Sequence, residues 1–235
     1  MVKKHKPAAP NHRPLVRALL KWFPAHARDL PWRRTLDPYA IWVSEIMLQQ
    51  TQVKTVIPYF ERWMKALPDV EALAACPSDQ LHKLWEGLGY YTRVRNMQKA
   101  AREIVEQHEG NFPTAHPDIL ALPGIGRYTA GAIASIAFDQ PQPIVDGNVI
   151  RVLARLFAIG GDPKEKTTSE RFWSQATELV ELARTSKRKG GIPVAPDALR
   201  FSGGCSLLNQ ALMELGATIC TPANPACDRC PVRRH

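Results

Sequence analysis

Apolar residues recur every three or four positions over most of the chain, which is the repeat of amphipathic helices. The spacing predicts helices over 15–23, 39–50, 53–67, 70–75, 78–84, 94–107, 127–138, 149–158 and 207–216. A further helix over 172–182 follows Thr167 and Glu170, a capping-box pattern. Short segments rich in Pro, Gly and Asp (LPDV, CPSD, HPDI, DQPQP, GGDP) separate them. Convincing period-two strands are missing. Ile144-Val145 before Asp146-Gly147 matches a hairpin signal, but Val149, Val152, Leu153 and Leu156 return at helical spacing. Residues 146–148 therefore read as a helix start with a side-chain oxygen able to cap it. Residues 184–204 mix a basic run with Gly and Pro and read as a surface loop, where Lys187, Arg188 and Lys189 either touch DNA or form a solvated charge run.

Charge narrows the partners. The chain of 235 residues carries 31 Lys and Arg against 22 Asp and Glu, a net +9. Such an excess favours a polyanion such as nucleic acid, because neutralising phosphates releases counterions. An anionic membrane surface is the competing partner. No apolar run approaches the roughly 20 residues that span a bilayer, which excludes a transmembrane helix. The start, MVKKHKPAAPNHRP, is basic without an apolar stretch, so 1–11 reads as a disordered tail and not a secretory signal. An odd number of cysteines, 5, without an export signal points to a reducing, intracellular compartment.

Three of those cysteines lie close together: Cys220, Cys227 and Cys230 form a C-x6-C-x2-C run. Thiols so crowded suit metal ligation better than disulfides, and four would suit an iron–sulfur cluster or tetrahedral zinc. Cys76 and Cys205 stand alone and read as packing residues.

Other segments carry candidate chemistry. In LPGIGRYTAGAIASIAF, 122–138, Gly124 and Gly126 make a tight turn before a helix that starts near Arg127. It is either a phosphate-binding hairpin, with backbone N–H groups at a helix N-terminus, or an ordinary interhelical turn. Asp146 either caps a helix only or also serves as an ionised carboxylate facing developing positive charge. Glu45 shares a helix face with Ile41, Trp42 and Leu48. A carboxyl on so apolar a face is either held by Arg or Tyr or has a raised pKa that suits a general acid. One protonatable and one ionised carboxyl suit glycosidic-bond cleavage through an oxocarbenium-like state. Gln49, Gln50, Thr51 and Gln52 could read base edges, and Leu88 and Tyr90 on a glycine-flanked loop could fill the hole left by a flipped base. Trp32 and Arg33 offer stacking and cation surfaces.

Together these segments resemble the helix-hairpin-helix DNA glycosylases with an iron–sulfur cluster, and most closely the adenine-specific, MutY-type branch. The matching stretches are LPWR, WVSEIMLQQTQV, WEGLGYYTRVRN, LPGIGRYTAGAIASIAF, VDGNVIRVLAR and NQALMELGATICTP, in the family's order. The resemblance implies an all-α protein with a six-helix barrel lobe over 33–140 and a cluster lobe built from 12–32 and 141–235. It implies that Glu45 protonates the flipped adenine and then activates water, and that Asp146 stabilises the sugar cation. Tyr128 and Asn148 would line the site, and Arg28, Trp32 and Gln210 would lie near the base. Gln50, Leu88 and Tyr90 would intrude into the duplex, Gly124, Gly126 and Arg127 would meet a phosphate, and Cys220, Cys227 and Cys230 would bind a [4Fe–4S] cluster. The partner would be double-stranded DNA holding an A·8-oxoguanine or A·G mispair, bound by a monomer. Tyr128 stands where the family's endonuclease III members carry a nucleophilic lysine, which implies a monofunctional glycosylase.

The chain departs from that pattern in three places. The family's fourth cysteine would come at position 236, just past His235. The Nudix-like C-terminal domain that senses 8-oxoguanine is expected to be absent. Residues 184–204 look longer than the family's link. Competing expectations are a T·G mismatch thymine glycosylase, a non-catalytic cluster-bearing DNA-binding module and a zinc-stapled structural protein.

Overall fold

The computed structural model describes residues 11–186 and 200–235. Their elements are α1 (Arg13–His26), α2 (Pro38–Leu48), α3 (Val53–Ala66), α4 (Val70–Ala75), α5 (Ser78–Trp85), α6 (Thr92–His108), α7 (His116–Ala121), α8 (Arg127–Phe138), α9 (Gly147–Leu156), α10 (Lys166–Arg184) and α11 (Gly204–Thr218), with 3-10 turns at Pro31–Arg33 and Cys227–Arg229. No strand occurs among the described residues. The expected tail 1–11 lies outside them except for Asn11, as do Lys187, Arg188 and Lys189; the segment 184–204 is described only at its two ends.

The helices follow from their apolar spacing. In α3, Val56, Phe60 and Trp63 fall on one buried stripe. In α9, Val149, Val152 and Leu153 are buried, and Arg151 and Arg155 occupy other faces. The α2 helix differs, because every residue from Tyr39 to Met47 is buried. An all-round apolar helix belongs in the centre of a core. It starts where the Asp37 side chain accepts from the Tyr39 N–H and Pro38 presets the first turn. It packs on α8, where small residues permit close approach. A Cβ on Gly131 of α8 would lie 2.4 Å from the Pro143 carbonyl oxygen.

Two sequence expectations are corrected. HPDI is not a separator, because it opens α7, with Pro117 in the first turn where its missing N–H costs nothing. At six residues, α7 is too short to show a period. The capping box at Thr167 and Glu170 does not form. Asp162 orders an earlier turn, accepting from the Lys164 N–H through its side chain and from the Glu165 N–H through its carbonyl, so α10 already runs from Lys166. Glu170 instead pairs with Arg127.

Two hydrophobic cores result. The first draws on Leu30 to Ile144, with Trp42, Trp63 and Trp85 fully buried. The second joins Leu15, Val16, Leu19 and Phe23 of α1 to Val145 and the residues beyond it, ending at Val232. The two are fastened together. Asp139, just past α8 at φ 52, accepts from the Cys205 and Ser206 N–H groups at 2.8 and 3.0 Å, so its carboxylate caps α11. Met213 of α11 touches both cores.

Candidate active site

A cleft of about 450 Å³ opens where the two cores meet, walled by Trp32, Ile41 and Glu45 on one side and Val145, Asp146 and Asn148 on the other. That volume is within the about 300–1,000 Å³ typical of ligand sites. Glu45 faces it from the middle of α2 and is only 5% exposed. Burial pushes its carboxyl up to about 7, against the hydrogen bond from Tyr128 and the charge of Arg33; the nearby Asp146 raises it further. The Tyr128 hydroxyl donates to Glu45 Oε2 at 2.7 Å. The phenol itself is held well above its ordinary range by burial and by the Glu45 and Asp146 charges, so it stays a donor.

Asp146 arrives from the other core. It caps α9: Oδ1 accepts from the Val149 N–H at 2.7 Å, and Oδ2 accepts from Asn148 Nδ2 at 2.9 Å. The N-terminal dipole of α9 favours a carboxylate there. The capping reading of Asp146 holds, and the same residue also lines the cleft. One protonatable carboxyl and one hydrogen-bonded carboxylate share an otherwise largely apolar cleft.

Arg28, Trp32 and Gln210 line the same cleft. Gln210 is held by the Ser206 hydroxyl at 3.2 Å. Gln50 sits at the cleft's edge, exposed, at φ 57. Leu88 and Tyr90 part company. Tyr90 is 66% exposed, but Leu88 packs into the first core, so only the tyrosine is presented on the surface. Arg93 ties that loop to the end of α2: Nη1 donates to the Ile46 and Gln49 carbonyls, and Nη2 donates to those of Leu88 and Gly89.

The hairpin runs from α7 to α8. Gly124 at φ 77 lies so near Asn96 that a Cβ would come within 2.6 Å of it. Gly126, the N-cap of α8, faces open space. Arg127 lies over the Trp173 ring at 3.9 Å and pairs with Glu170.

Cys220, Cys227 and Cys230 follow α11 on one loop, with Cys220 and Cys230 packed against the second core. Among the described residues no three His, Cys, Asp or Glu side chains converge closely enough to hold a metal ion. The donor chemistry still suits an iron–sulfur group. Arg155 donates to Cys220 Sγ at 3.3 Å and to the Thr221 and Pro222 carbonyls, an N–H-to-sulfur contact of the kind that would tune an iron–sulfur group if one were bound. Arg151 connects this loop to the cleft. It donates to the Cys220 and Gly216 carbonyls and to Asn148 Oδ1, each at 2.7 Å.

Residues 43–178, more than half of the chain, match the family described as HhH-GPD superfamily base excision DNA repair protein. The chain belongs to that superfamily. This HhH-GPD protein is 48% identical over 226 residues to the adenine DNA glycosylase of Rattus norvegicus, covering 92% of this chain and 40% of that protein. It spans well under half the length of that relative. A solved structure of a thermostable thymine-DNA glycosylase superposes with a TM-score of 0.76 at 28% identity, covering 94% of this chain and 93% of that one. A trapped endonuclease III–DNA intermediate shares the fold, with a TM-score of 0.66 at 21% identity over 92% of this chain and 89% of that chain. The all-α, helix-hairpin-helix reading of the sequence is thus borne out.

Several residues of this HhH-GPD site escaped the sequence reading. Arg93 acts through backbone carbonyls and Arg151 mainly so, and such contacts leave no sequence motif. Arg33 is no surface cation, because it is buried and joined to Glu214 at 2.8 Å. No helix among the described residues is long and apolar enough to cross a membrane.

Proposed function

We propose that this chain carries the catalytic unit of a monofunctional adenine DNA glycosylase, acting on adenine paired with 8-oxoguanine or guanine in duplex DNA. The observation that carries the proposal is the Glu45–Tyr128 pair facing Asp146 across one cleft, in a chain 48% identical to a named adenine DNA glycosylase. Protonated Glu45 donates to a ring nitrogen of the flipped adenine, and the C1′–N9 bond breaks with its electron pair leaving on the base. The Asp146 carboxylate stabilises the sugar cation. Ionised Glu45 then takes a proton from the attacking water, so the C1′–O bond forms and the acid is restored. A group with a pKa of about 7 serves both halves of this cycle near neutral pH.

Gln50 and Tyr90, on neighbouring segments that Arg93 ties together through the Gln49 and Gly89 carbonyls, enter the duplex, and the hairpin at Gly124 and Gly126 holds a backbone phosphate with Arg127 beside it. Position 128 offers a phenol, and no lysine lines the cleft among the described residues, so no Schiff base forms and the strand stays intact. Cys220, Cys227 and Cys230 would hold a [4Fe–4S] cluster with one further ligand. When bound, it supplies a redox-active staple for the loop that Arg151 and Arg155 grip.

The test is release of adenine from a duplex with one A·8-oxoguanine pair, comparing the parent with Glu45→Gln. Release by the parent and none by the variant, with duplex binding retained by both, is the expected result. The similarity to a thymine-DNA glycosylase over nearly all of both chains supports a second reading, so a T·G duplex runs in parallel. Thymine release without adenine release would overturn the adenine assignment.

A further inference from the structure

Glu214 of α11 is fully buried behind the cleft wall, where it is paired with Arg28 and Arg33, two residues that line the cleft. Its Oε1 accepts from the Arg28 backbone N–H at 3.1 Å and from Arg28 Nε at 2.8 Å. Its Oε2 accepts from Arg28 Nη2 at 3.0 Å and from Arg33 Nη2 at 2.8 Å. Arg33 Nη1 donates onward to the Arg28 carbonyl. One carboxylate therefore grips both arginines of the cleft wall. Among the described residues, Arg28 Nη1 has no hydrogen-bond partner, and the Arg28 side chain is 40% exposed, so a donor edge of the fork is left for the cleft's occupant. A bidentate carboxylate fixes the plane of a guanidinium as a single hydrogen bond cannot.

The charges matter as much as the geometry. Two arginines against one carboxylate leave a net positive charge beside Glu45, and without Glu214 it would double. We propose that Glu214 is a positioning residue for base release: it aims the Arg28 fork at the flipped base and limits the positive field that Arg33 exerts on the Glu45 acid. The inference rests on the glycosylase reading above. The groups that face Glu45 are Tyr128 from α8, Asp146 at the start of α9 and Arg33 from the 3-10 turn; Arg93 from α6 grips the carbonyls just beyond it. Burial would raise Glu214 itself, but the bonds from Arg28 and the charge of Arg33 hold it below the ordinary carboxylate range, so it is ionised at working pH. Arg33 is drawn down by burial and held up by Glu214.

Single-turnover base release is measured from pH 5 to 9 for the parent, Glu214→Gln, Glu214→Asp and Arg33→Gln, each normalised to its active fraction. Loss of the Glu214 charge leaves Arg33 uncompensated, so the alkaline limb of Glu214→Gln moves to lower pH by about one unit. That is about a tenfold lower rate above pH 8. Glu214→Asp keeps the charge but cannot reach all of its donors, so its rate falls equally at every pH and its limb stays in place. Arg33→Gln moves the limb the opposite way, which decides the sign even if Glu214→Gln fails to fold. A limb for Glu214→Gln that coincides with the parent's, or an unmoved limb for Arg33→Gln, overturns the proposal. If the parent releases no base, the glycosylase reading has failed separately. A carbon-13 titration of the Glu45 carboxyl in the same proteins then reads the field without turnover, and the same shifts are required.

Discussion

Replacing Glu45 with glutamine should stabilise the protein above neutral pH. Glu45 titrates at about 7 in the fold against an ordinary value of 4.5. At about 1.36 kcal/mol per pH unit, that gap corresponds to about 3 kcal/mol. A carboxyl whose folded pKa is raised stabilises the fold fully below pH 4.5, where both states hold the proton. The stabilisation is lost as pH rises through 7, because the unfolded chain ionises freely and the folded one must bury the charge. Glu45→Gln stays neutral at every pH and keeps an acceptor for Tyr128. The variant should match the parent near pH 4.5 and exceed it by up to about 3 kcal/mol above pH 8. At about 2–4 °C per kcal/mol for a chain of this size, the melting temperatures should diverge by roughly 6–12 °C. Thermal melts of both proteins at half-unit steps from pH 4.5 to 9 provide the assay. Other titrating groups are common to both proteins and largely cancel in the difference. A gap that is the same at pH 5 and pH 8 would refute the reasoning, because it would mean that Glu45 ionises in the fold as it does in water.

Further outcomes follow from other contacts. Asp146→Asn keeps a capping oxygen, so stability should change by less than about 1 kcal/mol, while base release falls by about two to three orders of magnitude; melts and single-turnover rates measured together check both. Arg151→Gln removes the bridge from Cys220 and Gly216 to Asn148, and should cost about 1–3 kcal/mol with a lower iron content per chain, read by denaturation and metal analysis. Gly131→Ala places a methyl 2.4 Å from the Pro143 carbonyl oxygen, a backbone atom that cannot easily move aside. It should destabilise by more than about 2 kcal/mol, and an unchanged melt would count against the close α8 packing.

Much of this was legible from residue patterns, and the rest was hidden for definite reasons. Glu45 announced itself because a carboxyl inside IWVSEIML has no polar face to occupy. Asp146 was found as a cap because capping is local: donor and acceptor lie three residues apart. Glu214 gave no such signal. In ALMELG it reads as an ordinary helix glutamate, and its partners lie 186 and 181 residues away. Leu88 looked like a wedge because its loop is glycine-flanked, but only the fold shows that the chain turns it inward and Tyr90 outward. The capping box failed for a comparable reason: Glu170 had a better partner in Arg127, on a helix 43 residues away.

The pairing of α1 with α11 has a consequence for how the protein is made. The apolar stripe of α1 leaves the ribosome early, and its partner emerges only after some 180 further residues. At about 5–20 residues per second, Leu15, Val16, Leu19 and Phe23 wait roughly 10–40 s without their final cover. The buried members of the first core all lie at or before Ile144, so most of it can form in that interval, with Met213 of α11 packing on it last. Glu45 can therefore be in place before the wall that carries Asp146 is secured, and until then the cleft is open on one side. The cleft is complete only once α11 has packed, and the waiting stripe of α1 is the surface that a chaperone would cover.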